Sequence, residues 1–320
     1  MKESSSVITF YTLIFLGIFS SGCATRNAPP NMPVQGEYKK LIERQRAQES
    51  AGVPDAGKFP DMTAHEYEGL GDHYLQQDNM DMAFTQYDKA LNLEQGNSSV
   101  RYKIGCLFLK KGLPNEAGKE FKEILKKDPG YALAYEGLGF AYFKMGDYQS
   151  AKENLLSAIR LNDRLWQAHN LLGIVYNLGQ QFEAAINHYR AAIALQPDKG
   201  LLYNNLGLSH YLKGEYGKAI EAFVEALKIE PSKRKVYNNL ALALSKAGRY
   251  EEALGAFKKG EEEAVAYNNM GYIYLTHGIY EEAIKAFEKA IELSPKFYTK
   301  ASENLKRAKR AKQAAPAGHN

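Results

Sequence analysis

The chain has 320 residues, 45% of them hydrophobic and 24% charged, with a formal net charge of +4. That composition is globular, and it lacks the strong basic excess of a nucleic-acid binder. Two cysteines, Cys23 and Cys106, are too few for a disulfide framework.

Residues 1–22 begin Met1-Lys2, run through the apolar block Val7 to Phe19, and end Ser20-Ser21-Gly22 before Cys23. A charged start, an apolar core of this length and small residues before the cut describe a bacterial secretory signal; a spanning helix needs about 20 apolar residues. Ser21-Gly22-Cys23 resembles the lipobox of bacterial lipoproteins, although Ser20 stands where that family prefers leucine and Glu3 is unusual in a short basic start. The resemblance implies diacylation of the Cys23 thiol and cleavage that leaves Cys23 as the new N-terminus. Two or more acyl chains anchor stably where one is marginal. An uncleaved anchor and ordinary signal-peptidase cleavage are the alternatives. By the sorting rule of enteric bacteria, Ala24 in place of aspartate implies the outer membrane, with the protein facing the periplasm.

Residues 23–62 are expected to form the lipidated N-terminus and a flexible tether. Pro29, Pro30, Pro33, Pro54 and Pro60 remove backbone donors and disfavour helix at the residues before them. Glu37 to Gln48 has good helix formers and is a candidate short helix. Fully extended at about 3 Å per residue, roughly 40 residues reach about 100 Å from a bilayer.

From residue 64 the chain repeats. Gly71, Gly105, Gly139, Gly173, Gly207 and Ala241 follow in steps of 34, and Gly271 follows after a step of 30. Ala83, Ala117, Ala151, Ala185, Ala219, Ala253 and Ala283 keep the same steps. Two columns in register define seven copies: 64–97, 98–131, 132–165, 166–199, 200–233, 234–263 and 264–297. Within a copy, large residues at positions 7, 11 and 24 and small ones at 8, 20 and usually 27 place each set on one helical face. The spacing predicts a first helix, A, over about positions 1 to 14 and a second, B, over about 18 to 31. Pro129, Pro197, Pro231 and Pro295 follow the end of helix B.

The Leu-Gly-x-x-Tyr core of helix A (Leu138, Gly139, Tyr142; Leu172, Gly173, Tyr176) and the Ala-x-x-x-aromatic-x-x-Ala of helix B (Ala185, Tyr189, Ala192; Ala283, Phe287, Ala290) resemble the tetratricopeptide repeat family. The resemblance covers about three quarters of the chain and implies an all-α fold, a right-handed α-solenoid of seven helix-turn-helix repeats. Departures are local: Ile124 stands for a small residue, Gln95 and Asp163 for proline, and His210 and Leu244 for the aromatic at position 11.

Copy six is four residues short, and Glu261, Glu262 and Glu263 lead directly into the next helix. Loss of about one turn predicts closer approach of the flanking helices, and carboxylates there favour the helix dipole, so capping is expected of them ahead of metal binding. Residues 298–312 carry Ala301, Leu305 and Ala308 on one side and charges on the other, which predicts a polar capping helix; residues 313–320 are expected to be a disordered tail.

In this family the inner wall is lined by helix A positions 2, 5, 6, 9, 12 and 13. Carried over, this implies a partner groove containing Phe140, Phe143, Ile174, Leu178, Leu208, Tyr211, Leu242, Tyr272 and Leu275. Beside them lie the pairs Asn204 and Asn205, Asn238 and Asn239, and Asn268 and Asn269. An amide both donates and accepts, so such a ladder suits clamping of a partner's backbone, similar to the asparagine ladder of O-GlcNAc transferases. The alternative is that Asn-Asn-Leu-Gly is repeat consensus and merely solvates the groove. Glu68, Asp72 and Glu136 occupy places where the carboxylate clamp of chaperone-binding relatives needs basic residues and asparagine, which excludes that clamp.

The histidines lack metal spacing, Cys106 has no thiolate-forming motif beside it, and no nucleophile elbow, phosphate loop or HExxH is present. Neither a catalytic residue, a cofactor, a metal, a small-molecule substrate nor a nucleic-acid partner is therefore expected, and the residues outside the repeats are too few for a separate catalytic core. The expected function is a non-enzymatic scaffold, anchored through Cys23, that binds segments of other envelope proteins. Tyr237-Asn238-Asn239-Leu240-Ala241-Leu242-Ala243-Leu244 resembles strings in the assembly lipoproteins of Flp/Tad-type pili. Secretin pilotins, adaptors for cell-wall hydrolases and exopolysaccharide-export partners remain alternatives, as does homo-oligomerisation.

Overall fold

In the computed structural model the described residues are 61–294 and 298–314, with Glu43 alone before them. The expected secretory signal, Cys23, the expected tether up to Pro60 with its candidate short helix, Glu43 excepted, residues 295–297 and the last six residues lie outside that range. The chain divides into two compact units at Leu171 and Leu172.

In the first unit the pairs are α1 (Ala64–Gln76) with α2 (Met80–Leu93), α3 (Ser98–Lys110) with α4 (Pro114–Lys127), and α5 (Ala132–Met145) with α6 (Tyr148–Leu161). The boundary falls inside α7 (Trp166–Leu178). The second unit continues with α8 (Phe182–Leu195), α9 (Gly200–Lys213), α10 (Tyr216–Ile229), α11 (Arg234–Lys246), α12 (Tyr250–Gly260), α13 (Glu263–Thr276), α14 (Tyr280–Leu293) and α15 (Tyr298–Ala314). No strand occurs among the described residues, and no helix there is long and apolar enough to cross a membrane. The fold is an all-α repeat solenoid.

Helix B starts at position 17, one residue earlier than the spacing predicted. Its start is set by side chains that the hydrophobic pattern does not register. At position 16, Asn79 and Asp147 accept hydrogen bonds from the backbone N–H of Met82 and Ser150, and Pro114 occupies the first turn of α4. The residue before, position 15, is left-handed in every copy: Asp78, Gly112, Gly146, Gln180, Gly214, Gly248 and Gly278 all have positive φ. This reverses the chain in three residues and brings B back against A. At the start of the array Thr63 and Glu66 form a reciprocal capping box, with Thr63 N donating to Glu66 Oε2 at 2.8 Å.

The column of glycines at position 8 exists because an aromatic ring occupies the space of a side chain. A Cβ on Gly71 would lie 2.3 Å from the Tyr87 ring, and one on Gly207 2.7 Å from Phe223. Gly105 meets Phe121, Gly173 meets Tyr189 and Gly271 meets Phe287 in the same way, while Gly139 meets Leu155. These rings at position 24 are fully buried. Burying each contributes about 2 to 3 kcal/mol, and the missing Cβ is what lets the two helix backbones approach closely enough to do it.

In copy six, α12 ends at Gly260, where a Cβ would lie 2.7 Å from Asn238 Oδ1 and 3.0 Å from the Arg234 carbonyl. Asn238 Nδ2 donates to Glu261 Oε1 at 2.6 Å, and Lys258 pairs with Glu263 at 2.7 Å. The capping expected of the three glutamates takes another form: Glu262 is the N-cap of α13 without a side-chain hydrogen bond, and its two neighbours are held by Asn238 and Lys258.

The last helix, α15, runs to Ala314, two residues beyond the predicted stop. Ala301 and Ala308 are fully buried, and Ala308 and Leu305 pack with Phe287 and Ala283 of α14. Asn304 Nδ2 donates to Asn268 Oδ1 at 3.1 Å, and Lys309 pairs with Glu288 at 3.0 Å.

Candidate partner-binding wall

Five of the six asparagines at positions 5 and 6 of α9, α11 and α13 hydrogen-bond through their side chains within the second unit. Asn239 Nδ2 donates to Asn204 Oδ1 at 2.9 Å, so α11 is tied to α9. Asn204 Nδ2 donates to Asn205 Oδ1 at 3.3 Å. Asn268 accepts from Asn304, and Asn238 donates to Glu261. Asn269 is half-buried, with no side-chain hydrogen bond among the described residues. A buried amide that lost its partner would retain its desolvation cost, so these bonds hold successive helices in register. Five of the six side chains thus have a structural task, which stands beside the clamp on a partner's backbone that the sequence pattern suggested.

Two further residues belong to this polar seam and were not singled out from sequence. Asn177 Nδ2 donates to Ser209 Oγ at 2.9 Å, and the Ser209 hydroxyl donates to the Asn205 carbonyl at 3.1 Å. The signal was present as polar residues on the otherwise apolar A helices, but a single asparagine and a serine in different copies form no column.

The apolar members of the wall separate by exposure. Ile174 and Leu208 are buried, while Leu178, Tyr211, Leu242 and Leu275 are half-buried. Tyr272 is 48% exposed. Tyr211 is braced by Tyr216, ring centroids 5.6 Å apart, and with Leu242 it packs on the core that contains Phe223 and Phe257. Burial raises the Tyr211 hydroxyl above its ordinary pKa, so the ring stays neutral. Tyr211 and Leu242 therefore present apolar surface from α9 and α11 on side chains that the core already orients, and Tyr272 adds an exposed ring from α13.

In the first unit Phe140 and Phe143 are half-buried, and Phe143 lies 5.6 Å from the Tyr148 ring. The A helices of this unit are charged nearer its start. Lys103 pairs with Glu68 and Asp72, each at 2.7 Å, and Tyr87 Oη donates to Asp72 at 2.6 Å. Burial alone would lower the Lys103 ammonium, but the carboxylates of Asp72 and Glu68 outweigh it and hold the pKa above the ordinary lysine value. Glu136 Oε1 accepts from the Ala168 N–H at 3.0 Å. Each carboxylate that argued against a basic clamp is thus engaged inside this unit.

His210, in the place of an aromatic, is buried, and its Nδ1 lies 2.6 Å from Glu215 Oε2. Burial lowers the imidazole pKa, and the Glu215 hydrogen bond only partly offsets this. Lys213 and His210 together bring the Glu215 carboxyl down to about 2. Neutral His210 thus donates from Nδ1 to an ionised carboxylate. No group of three or more His, Cys, Asp or Glu side chains suited to a metal ion occurs among the described residues.

Comparison with known proteins agrees with this geometry. Tetratricopeptide repeat family models match residues 108–172, 201–233, 235–260 and 264–297, and a TPR repeat model matches 175–214. The TPR repeat-containing thioredoxin TTL4 of Arabidopsis thaliana is 28% identical over 92 residues, which are 29% of this chain and 14% of that protein. The chain thus spans only a small part of its curated relative. The crystal structure of MamA is 30% identical, covering 54% of this chain and 97% of that one, with a TM-score of 0.45. The APC/C hetero-tetramer Cut9-Hcn1 is 20% identical, covering 84% of this chain and 52% of that one, with a TM-score of 0.56, and shares the fold. With repeat after repeat matched from residue 108 to 297 and five copies closed by the same glycine and ring pairing, the chain belongs to the tetratricopeptide repeat family.

Proposed function

We propose that this chain is a lipid-anchored scaffold of the bacterial envelope, recruiting segments of other envelope proteins to the wall formed by its A helices. Tetratricopeptide repeats bind partner proteins and are typically non-catalytic. The observation that carries the reading here is the row Tyr211, Leu242 and Tyr272, accessible apolar surface on the A helices α9, α11 and α13, with Leu242 and Tyr272 at position 9 of their copies and Tyr211 one turn further on at position 12. Rigid aromatic anchors of this kind bury much area for little loss of rotamer freedom. The sequence Ser21-Gly22-Cys23 supports acylation, and Ala24 after it supports outer-membrane attachment with the repeats in the periplasm. The string Tyr237 to Leu244 supports the narrower assignment, assembly of a pilus or of its secretin.

Crosslinking in the native membrane followed by mass spectrometry tests this, comparing wild type with a Leu242→Ala, Tyr272→Ala double variant. These two side chains are better probes than the asparagines, whose loss would loosen the stack. Recovery of a secretin or pilus subunit from wild type and its loss from the variant is the expected result. Capture of wall hydrolases or polysaccharide-export proteins would retain the scaffold and remove the pilus assignment. A chain recovered without acyl groups on Cys23 would remove the anchor, and partners retained by the double variant would remove the wall.

A further inference from the structure

The last helix carries more of one sign of charge than a solvated cap needs. Residues 298–314 contain Lys300, Lys306, Arg307, Lys309, Arg310 and Lys312 against one carboxylate, Glu303, in a chain whose total charge is only +4. The remainder of the protein is therefore close to neutral, and its positive excess is concentrated in α15.

Two of the six cations have internal work. Lys309 pairs with Glu288 and Lys312 with Glu281, both on α14, beside the buried Ala301 and Ala308. The other four, Lys300, Lys306, Arg307 and Arg310, are exposed and form no ion pair among the described residues. At about 100° per residue they fall within an arc of about 120°, turned away from the buried alanines. Glu303 lies in the same arc. Helix α14 shows how this chain solvates a helix without such a bias: Glu281, Glu282, Lys285, Glu288, Lys289 and Glu292 mix both signs, with Lys285 on Glu282 and Lys289 on Glu292. Mixed charge suffices for solubility, so the strongly net-positive face of α15, four cations against Glu303, asks for an anionic surface.

We propose that the outward face of α15 binds the anionic headgroups of phospholipid. The row lies along one helix and includes no large apolar side chain, which suits a planar array of phosphates that meets all four cations together. A bound peptide would want apolar anchors as well as charge, and the four cations have no large apolar side chain in their arc. Each cation near an anionic bilayer strengthens association by about fivefold. The inference extends the reading that the protein works at a membrane, giving it an electrostatic contact besides the acyl anchor.

The test uses the full chain mixed with vesicles of phosphatidylcholine alone or of phosphatidylcholine with an equal part of phosphatidylglycerol. The readout is the rate at which an amine-reactive reagent labels Lys300 and Lys306, with Lys285 on α14 as internal reference. Labelling of Lys300 and Lys306 should fall about fivefold or more on the acidic vesicles only, and recover in high salt. Arg307→Glu combined with Arg310→Glu keeps both reporter lysines and should abolish the shielding, while far-UV circular dichroism verifies that the helices persist. Equal labelling on the two vesicles would overturn the assignment and leave the row to an acidic protein. Shielding that survives the double variant would overturn it as well. Should the chain wash off neutral vesicles yet stay shielded on acidic ones, the acyl anchor fails and the headgroup site stands.

Discussion

At the scale of single residues, the left-handed position at each A-to-B turn is the most repetitive feature of the backbone. Glycine fills it in five copies, as at Gly146 and Gly214, and no atom would meet a Cβ at either. Only the backbone conformation selects glycine there. Gln180, with φ of 56°, pays that conformational penalty, about 1 kcal/mol or more for an L-residue. Gln180→Gly should therefore stabilise the protein by about 0.5 to 1 kcal/mol after glycine's greater unfolded-state entropy is included, seen as a higher denaturant midpoint at unchanged slope. His210 supplies a pH dependence. Because its folded pKa lies below the ordinary 6.5, the unfolded chain takes up the proton first as the pH falls. The contribution is constant above about pH 6.5 and is lost progressively below it, down through the folded pKa. His210→Tyr, which restores the aromatic usual at this position, should show a smaller loss of midpoint between about pH 7.5 and 5.5 than wild type. Equal losses would place the pH dependence elsewhere.

At the scale of elements, the array ends in a helix whose two faces do different things. The inner face of α15 completes the core around Phe287 and is fixed by Asn304 on Asn268, while the outer face is basic. Ala308 is fully buried between them and α14. Ala308→Asp would bury an unpaired carboxylate, so α15 should detach and expose Phe287, costing about 3 kcal/mol or more. Hydrogen exchange would show this as lost protection in α14 and α15 with little change in α1 and α2; a uniform loss of protection would mean that the cap is not a separable element. The shortened α12 is the opposite case, an element whose missing turn is absorbed by Gly260 and by the Asn238 to Glu261 hydrogen bond.

At the scale of the whole molecule, the architecture was legible because it is written seven times. The small residue at position 8 and the ring at 24 recur at a fixed period, and in six of the seven copies the Cβ clash shows the two to be one contact, Leu155 supplying the bulk in copy three. The turn column at position 15 recurs as well, but Asp78 and Gln180 interrupt it, and hydrophobic periodicity does not weigh glycine. The candidate wall was legible only in part. Family register names the positions that line it, but it does not say whether an amide at such a position meets a partner or another copy. That depends on the neighbour: Asn204 is engaged because Asn239 stands one copy further on, and Asn268 because α15 supplies Asn304. The ring pairing has a consequence for how such a chain changes over generations. Gly207 and Phe223, like Gly71 and Tyr87, lie in the same copy, so unequal recombination that adds or drops one whole copy carries both halves of the contact together. Copy three is tied to its predecessor, because Gly137 also leaves room for the Phe121 ring of copy two. Length variants among descendants of this gene should therefore differ by whole copies, with the second and third inherited as a pair.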